Sequence, residues 1–221
     1  MLGQSFPFDM AHMLAGGMVT VSFMLLFQDR LIALIWFLAL HALALALALA
    51  WQAHRQAADD LYVAAALALV VKAILIPMGL RWLVRHLQIE RTVEAVVGVG
   101  MAMLFGIGLV ALSVMVMLPA ATHSPLMWED LSFALAVVML GLLIMITRRN
   151  AMAQIIGLLS VDNGVTLAVV GIRGMPLVID LGVACLLVAA MVVFAIYFKH
   201  IHQRFDSVDV HVLDRFRGEE S

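Results

Sequence analysis

The chain has 221 residues, of which 65% are hydrophobic and 13% charged, and its formal net charge is −2. A soluble globular domain is about half apolar and a quarter charged, so this composition excludes that class and implies an integral membrane protein. No basic patch or motif for nucleic acid appears, and a single cysteine, Cys185, excludes an internal disulfide or a multi-cysteine metal site.

A spanning helix needs about 20 predominantly apolar residues. Runs of that length, separated by short polar joints, predict about seven transmembrane helices. The first is Phe8–Phe27. It has neither a basic leader nor an A-x-A-like cleavage site, so it is expected to be a retained helix. The second, Leu31–Trp51, carries His41 and an Ala-Leu alternation from Ala42 to Ala50. That alternation has the period of a strand, but an open strand cannot satisfy its backbone in lipid, so a helix is expected. The third, Leu61–Arg81, carries Lys72 and, five residues on, Pro77, which frees a carbonyl near Ala73. The fourth, Val93–Leu118, has Gly98, Ala102 and Gly106 at i, i+4 and i+8, a small-residue face suited to close helix packing. The fifth is Met127–Thr147. The sixth, Ala151–Gly171, carries Asp162, with Gly157, Gly164 and Ala168 as further small residues. The seventh is Leu177–Lys199, followed by a charged tail, Phe205 to Ser221.

Basic residues set the expected orientation. Alternating the joints across the membrane puts Arg30, Arg81, Arg85, Arg91, Arg148, Arg149, Lys199, Arg204, Arg215 and Arg217 on one side, and Arg55 and Arg173 on the other. By the positive-inside rule the first side is cytoplasmic, which predicts an external N-terminus, a cytoplasmic C-terminus and an odd number of helices.

Three ionisable residues fall at nearly one depth. At 1.5 Å per residue, Asp162 lies about 20 Å from Arg149, Lys72 about 18 Å from Asp60, and His41 about 16 Å from Arg30. A carboxylate at that depth costs roughly 2.5–3.5 kcal/mol even on lenient insertion scales, so it needs a partner, water or a use. Lys, His and Asp each hold and release protons, and such groups near the midplane suit a proton relay. The alternative for each is a side chain hydrogen-bonded for packing alone. Asp162 and Thr166 share a helix face. The 16 methionines have no ligand spacing and read as core filler. No phosphate loop, Ser-His-Asp set or CxxC pair is present, so no cofactor, metal or catalytic centre is expected.

Arg149-Asn150, Gln154, Gly157 and Asp162-Asn163-Gly164 stand in that order ahead of a tail containing Asp206-Ser207-Val208-Asp209, Leu213, Phe216 and Gly218. With Lys72-Ala73-Ile74-Leu75-Ile76-Pro77, this set resembles component E of hydrogenase 4. The last three predicted helices are similar to the K subunit of NADH-quinone oxidoreductase and to the C subunit of Mrp-type cation/proton antiporters. The likeness divides the chain into a four-helix segment (1–126), a three-helix segment (127–200) and a cytoplasmic tail (201–221).

The resemblance implies a non-catalytic subunit of a proton-pumping redox complex in the bacterial inner membrane. Its partners would be large antiporter-like subunits and a membrane-anchor subunit. Asp162 would take the role of the carboxylate in the penultimate helix, and Lys72 that of the third-helix lysine. Two departures stand out. The family usually has Glu where this chain has Asp162, and relatives carry a carboxylate well inside the final helix, where this chain has only Asp180 near one end. A structural linker and a member of a cation/proton antiporter remain the alternative expectations.

Overall fold

The computed structural model describes residues 6–86, 93, 95–119 and 127–170, with Val192 and Ile196. These form an all-helical bundle: α1 (Phe6–Phe27), α2 (Leu31–Gln56), α3 (Asp59–Leu67), a π-helical segment (Ala68–Leu75), α4 (Ile76–His86), α5 (Val99–Met117), α6 (Met127–Thr147) and α7 (Ala151–Val170). α3, the π segment and α4 run on as one rod, Asp59–His86, so six helices are long and apolar enough to cross a membrane. Of the expected seventh helix, Leu177–Lys199, only Val192 and Ile196 are among the described residues, both helical; Asp180, Cys185 and the tail lie outside them.

In α2 the alternating sequence gives a helical burial pattern. His41, Ala42, Leu45, Ala46 and Leu49 are buried, whereas Leu43 and Leu47 are exposed. Identical leucines thus sit on both faces, and the polar His41 marks the inward one. α2 is the hub, packed against α1, α3, the π segment, α4 and α7. It ends at Ala57, which adopts a left-handed conformation (φ 50°), while the next N–H, that of Ala58, donates to Ala53 O at 3.2 Å. That closure satisfies carbonyls the helix end would otherwise orphan.

The π segment ends just before Pro77. Proline has no N–H to give the carbonyl four residues back. The i→i+5 pattern reorganises this stretch, and the N–H of Ile76 bonds Val71 O. The wider turn also shifts the phase of the rod, and Lys72 is buried within it.

α6 and α7 pack at backbone contact. A Cβ on Gly157 would lie 3.0 Å from Gly141 O, and one on Gly164 would lie 3.0 Å from Val138 N. A Cβ on Gly106 in α5 would meet Phe23 and Leu26 of α1 and Leu140 of α6 within 3.2 Å. Ala102 is buried. Gly98 differs from its neighbours in the small-residue series: it precedes the first turn of α5, and a Cβ there would meet nothing.

The fourth span begins at Val99 rather than the expected Val93, because the residues before it pair elsewhere. Val93 N donates to Asp29 O (2.8 Å), Val96 N donates to Thr147 O (2.8 Å), and Ala95 bridges Arg148. These bonds bring Arg30 of the α1–α2 joint together with Arg148 and Arg149 of the α6–α7 joint. With Arg81, whose guanidinium lies over Trp36 near the start of α2, and Arg85 one turn further along α4, they form what we call the basic end of the bundle. At the opposite end, His12 of α1 approaches Asp130 of α6 at 3.8 Å.

Candidate functional site

The centre of the bundle holds polar side chains from four elements. Lys72 Nζ lies 2.7 Å from Asp162 Oδ2. Lys72 also donates to Thr166 Oγ1 at 2.9 Å, and Thr166 Oγ1 donates to the carbonyl of Asp162 at 2.9 Å. The i, i+4 spacing of Asp162 and Thr166 on α7 thus builds a two-point seat for one ammonium. Lys72 is 5% exposed and Asp162 17%. Charges taken this far from water persist only when paired. The pair is bounded by Leu38, Ile76, Leu159 and Asn163, and the gap between these groups leaves no room for a water molecule.

The next residue along α7 serves a second cluster. Asn163 Nδ2 donates to His41 Nδ1 at 3.0 Å. His41 Nε2 lies 3.1 Å from Ser22 Oγ, and Ser22 Oγ donates to Met18 O at 2.9 Å. An amide nitrogen only donates, so His41 Nδ1 accepts. The Ser22 hydroxyl spends its proton on Met18, so His41 Nε2 must donate to it. The arrangement therefore fits a neutral imidazole carrying its proton on Nε2. Ser22, His41 and Asn163 are all buried, and together they tie α1, α2 and α7.

The three ionisable residues singled out in the sequence thus occupy neighbouring parts of the core in two arrangements. Lys72 and Asp162 are in contact. His41 has both ring nitrogens engaged, by Ser22 and Asn163. Ser22 gives little signal in the sequence, since one serine in an apolar helix commonly bonds its own i−4 carbonyl, as this one also does.

Arg148 reads in the sequence as a charge of the membrane rim. It is instead 2% exposed. Its guanidinium reaches Asp29 Oδ1 (3.0 Å), Leu26 O (2.7 Å) and Gln28 O (2.9 Å), capping the last carbonyls of α1. Gln154 Nε2 donates to Arg148 O (3.0 Å), and Asn150 Oδ1 accepts from Met152 N (2.8 Å) as the N-cap of α7. The motif around Arg149 therefore divides by role. Asn150, Gln154, Gly157 and Gly164 set the entry and packing of α7, while Asp162 and Asn163 carry its polar chemistry. Among the described residues no cluster of ligands suited to a metal ion occurs.

The chain is 28% identical over 168 residues to hydrogenase-4 component E of Escherichia coli (strain K12), covering 73% of this chain and 76% of that protein. The Shigella flexneri protein of that name matches to the same extent. Over 206 residues the chain is 26% identical to the uncharacterized protein Rv0085 of Mycobacterium tuberculosis, covering 92% of this chain and 94% of that protein. No family model and no solved structure matches. The six long apolar helices describe a multi-pass membrane protein, and its sequence resembles that of hydrogenase-4 component E.

Proposed function

We propose that the chain is an accessory membrane subunit of a proton-translocating, hydrogenase-4-like redox complex, in which Lys72 and Asp162 exchange a proton. The observation that carries this reading is the 2.7 Å contact between Lys72 and Asp162 at the middle of two spanning rods. In a dry site the ionic pair and the neutral pair, amine beside carboxylic acid, both have zero net charge. A proton therefore passes between these partners without leaving an isolated charge in a low-dielectric interior. Delivering an external proton to Asp162 ends its attraction for Lys72 and frees the ammonium to lose its own proton to the next acceptor. Thr166 holds Lys72 in place through that change. His41 is the third protonatable group, and joining it to the path requires the Asn163 amide to turn aside.

The similarity to hydrogenase-4 component E supports membrane partner subunits, which we take to be antiporter-like subunits and a membrane anchor. The basic end is taken as cytoplasmic, as the arginine distribution favours, in a bacterial inner membrane. The 17% exposure of Asp162 fits a carboxylate that meets a further polar group at the surface of this chain.

One observation favours a structural reading: the pair is tightly packed and leaves no room for water. Asp162→Asn in the assembled complex separates the two. Membrane vesicles carrying this variant are expected to keep electron transfer and lose most proton uptake. Unchanged uptake with intact redox turnover would refute the relay.

A further inference from the structure

At the basic end, away from the Lys72–Asp162 pair, α4 borders a cleft of about 490 Å³ lined by Met78, Arg81, Trp82, Arg85 and His86. We propose that this cleft binds the phosphodiester headgroup of an anionic phospholipid. Arg81 and Arg85 are four residues apart and so share a helix face. The Arg81 guanidinium lies over the Trp36 ring, 4.6 Å from its centroid. That contact seats the cation without using its N–H donors, which leaves the planar fork free for two phosphate oxygens. Trp82 stacks on His86 with ring centroids 4.9 Å apart and planes within 9°. The stack makes one flat wall of the cleft.

Among the described residues no carboxylate pairs with Arg81 or Arg85. Arg148 at the same end is the contrast: it is buried, and it spends its donors on Asp29, Leu26 and Gln28. Of the arginines at the basic end, Arg148 builds the fold, while Arg81 and Arg85, the two that line the cleft, keep donors available. A free phosphate would satisfy the same donors. The apolar surroundings decide for lipid, since Met78, Trp82 and Trp36 are all exposed around the cleft, where acyl chains would cover them. Basic pockets of this kind at the membrane rim suit anionic headgroups.

The full chain, reconstituted in phosphatidylcholine nanodiscs with a trace of photoactivatable phosphatidylglycerol, tests this directly. Crosslinks are expected to concentrate on Trp36 and the stretch from Met78 to His86. They should fall on the order of tenfold in Arg81→Gln/Arg85→Gln. They should hold in Arg30→Gln/Arg149→Gln, which removes two exposed charges at the same end. If the first variant does not fold, Trp36→Leu serves in its place: it keeps both charges, unseats Arg81, and should lower the yield. Equal yield from photoactivatable phosphatidylcholine, equal loss in both double variants, or full competition by inorganic phosphate would overturn the proposal.

Discussion

At the scale of single residues, charge pairing decides more than burial does. Removing Asp162 alone leaves the Lys72 ammonium 5% exposed beside a neutral group. Breaking a buried pair in this way typically costs about 3–5 kcal/mol, whereas removing both charges is often close to neutral. Thermal unfolding of the purified chain should therefore show Asp162→Asn and Lys72→Met each strongly destabilised, with Lys72→Met/Asp162→Asn closer to the parent than either. Additive losses would mean the two groups do not depend on each other. The depth of these residues is legible from residue counting, because a helix converts sequence distance into height. Their rotation is not, because height says nothing about which way a side chain points. Ser22 is hidden for the same reason: its value lies in facing His41, which only packing reveals. Arg148 passes for a rim charge because a basic residue at a joint looks the same whether it meets water or caps a helix.

At the scale of elements, glycine spacing identifies close packing where both helices continue past it. Gly157 and Gly164 meet backbone atoms of α6, which cannot yield as a side chain can. Gly157→Val should therefore disrupt the α6–α7 pair and lower expression of folded protein. Gly98→Val, facing open space, should leave the folded chain unchanged, as size-exclusion profiles and unfolding temperature would report. An undamaged Gly157→Val variant would contradict the contact geometry. Gly98 fits the i, i+4, i+8 pattern, yet spacing cannot tell where a helix begins. Here the bonds from Val93 and Val96 to neighbouring segments delay α5 until Val99. The π-helical stretch is equally hidden. Its residues are as apolar as those of the turns around it, and only Pro77 hints at rearranged backbone bonds.

At the scale of the whole molecule, the division of labour is spatial. The basic end is closed by Arg148 and presents Arg81 and Arg85 at the rim. Among the described residues the core holds one ion pair and one neutral histidine cluster, joined by consecutive residues of α7. Composition makes the membrane class and six of the spans plain, since no other environment tolerates so many apolar residues in such runs. The central claim is that Lys72 and Asp162 carry a proton rather than merely hold α7 against the π segment. Lys72→Met/Asp162→Asn distinguishes these most directly, because the charge-free pair relieves the structural penalty while leaving nothing to protonate. Redox-driven acidification, followed by a pH-sensitive dye in membrane vesicles containing the assembled double variant, is the measurement. The account predicts intact assembly and electron transfer with acidification lost. Acidification at the parental rate in that variant would contradict it.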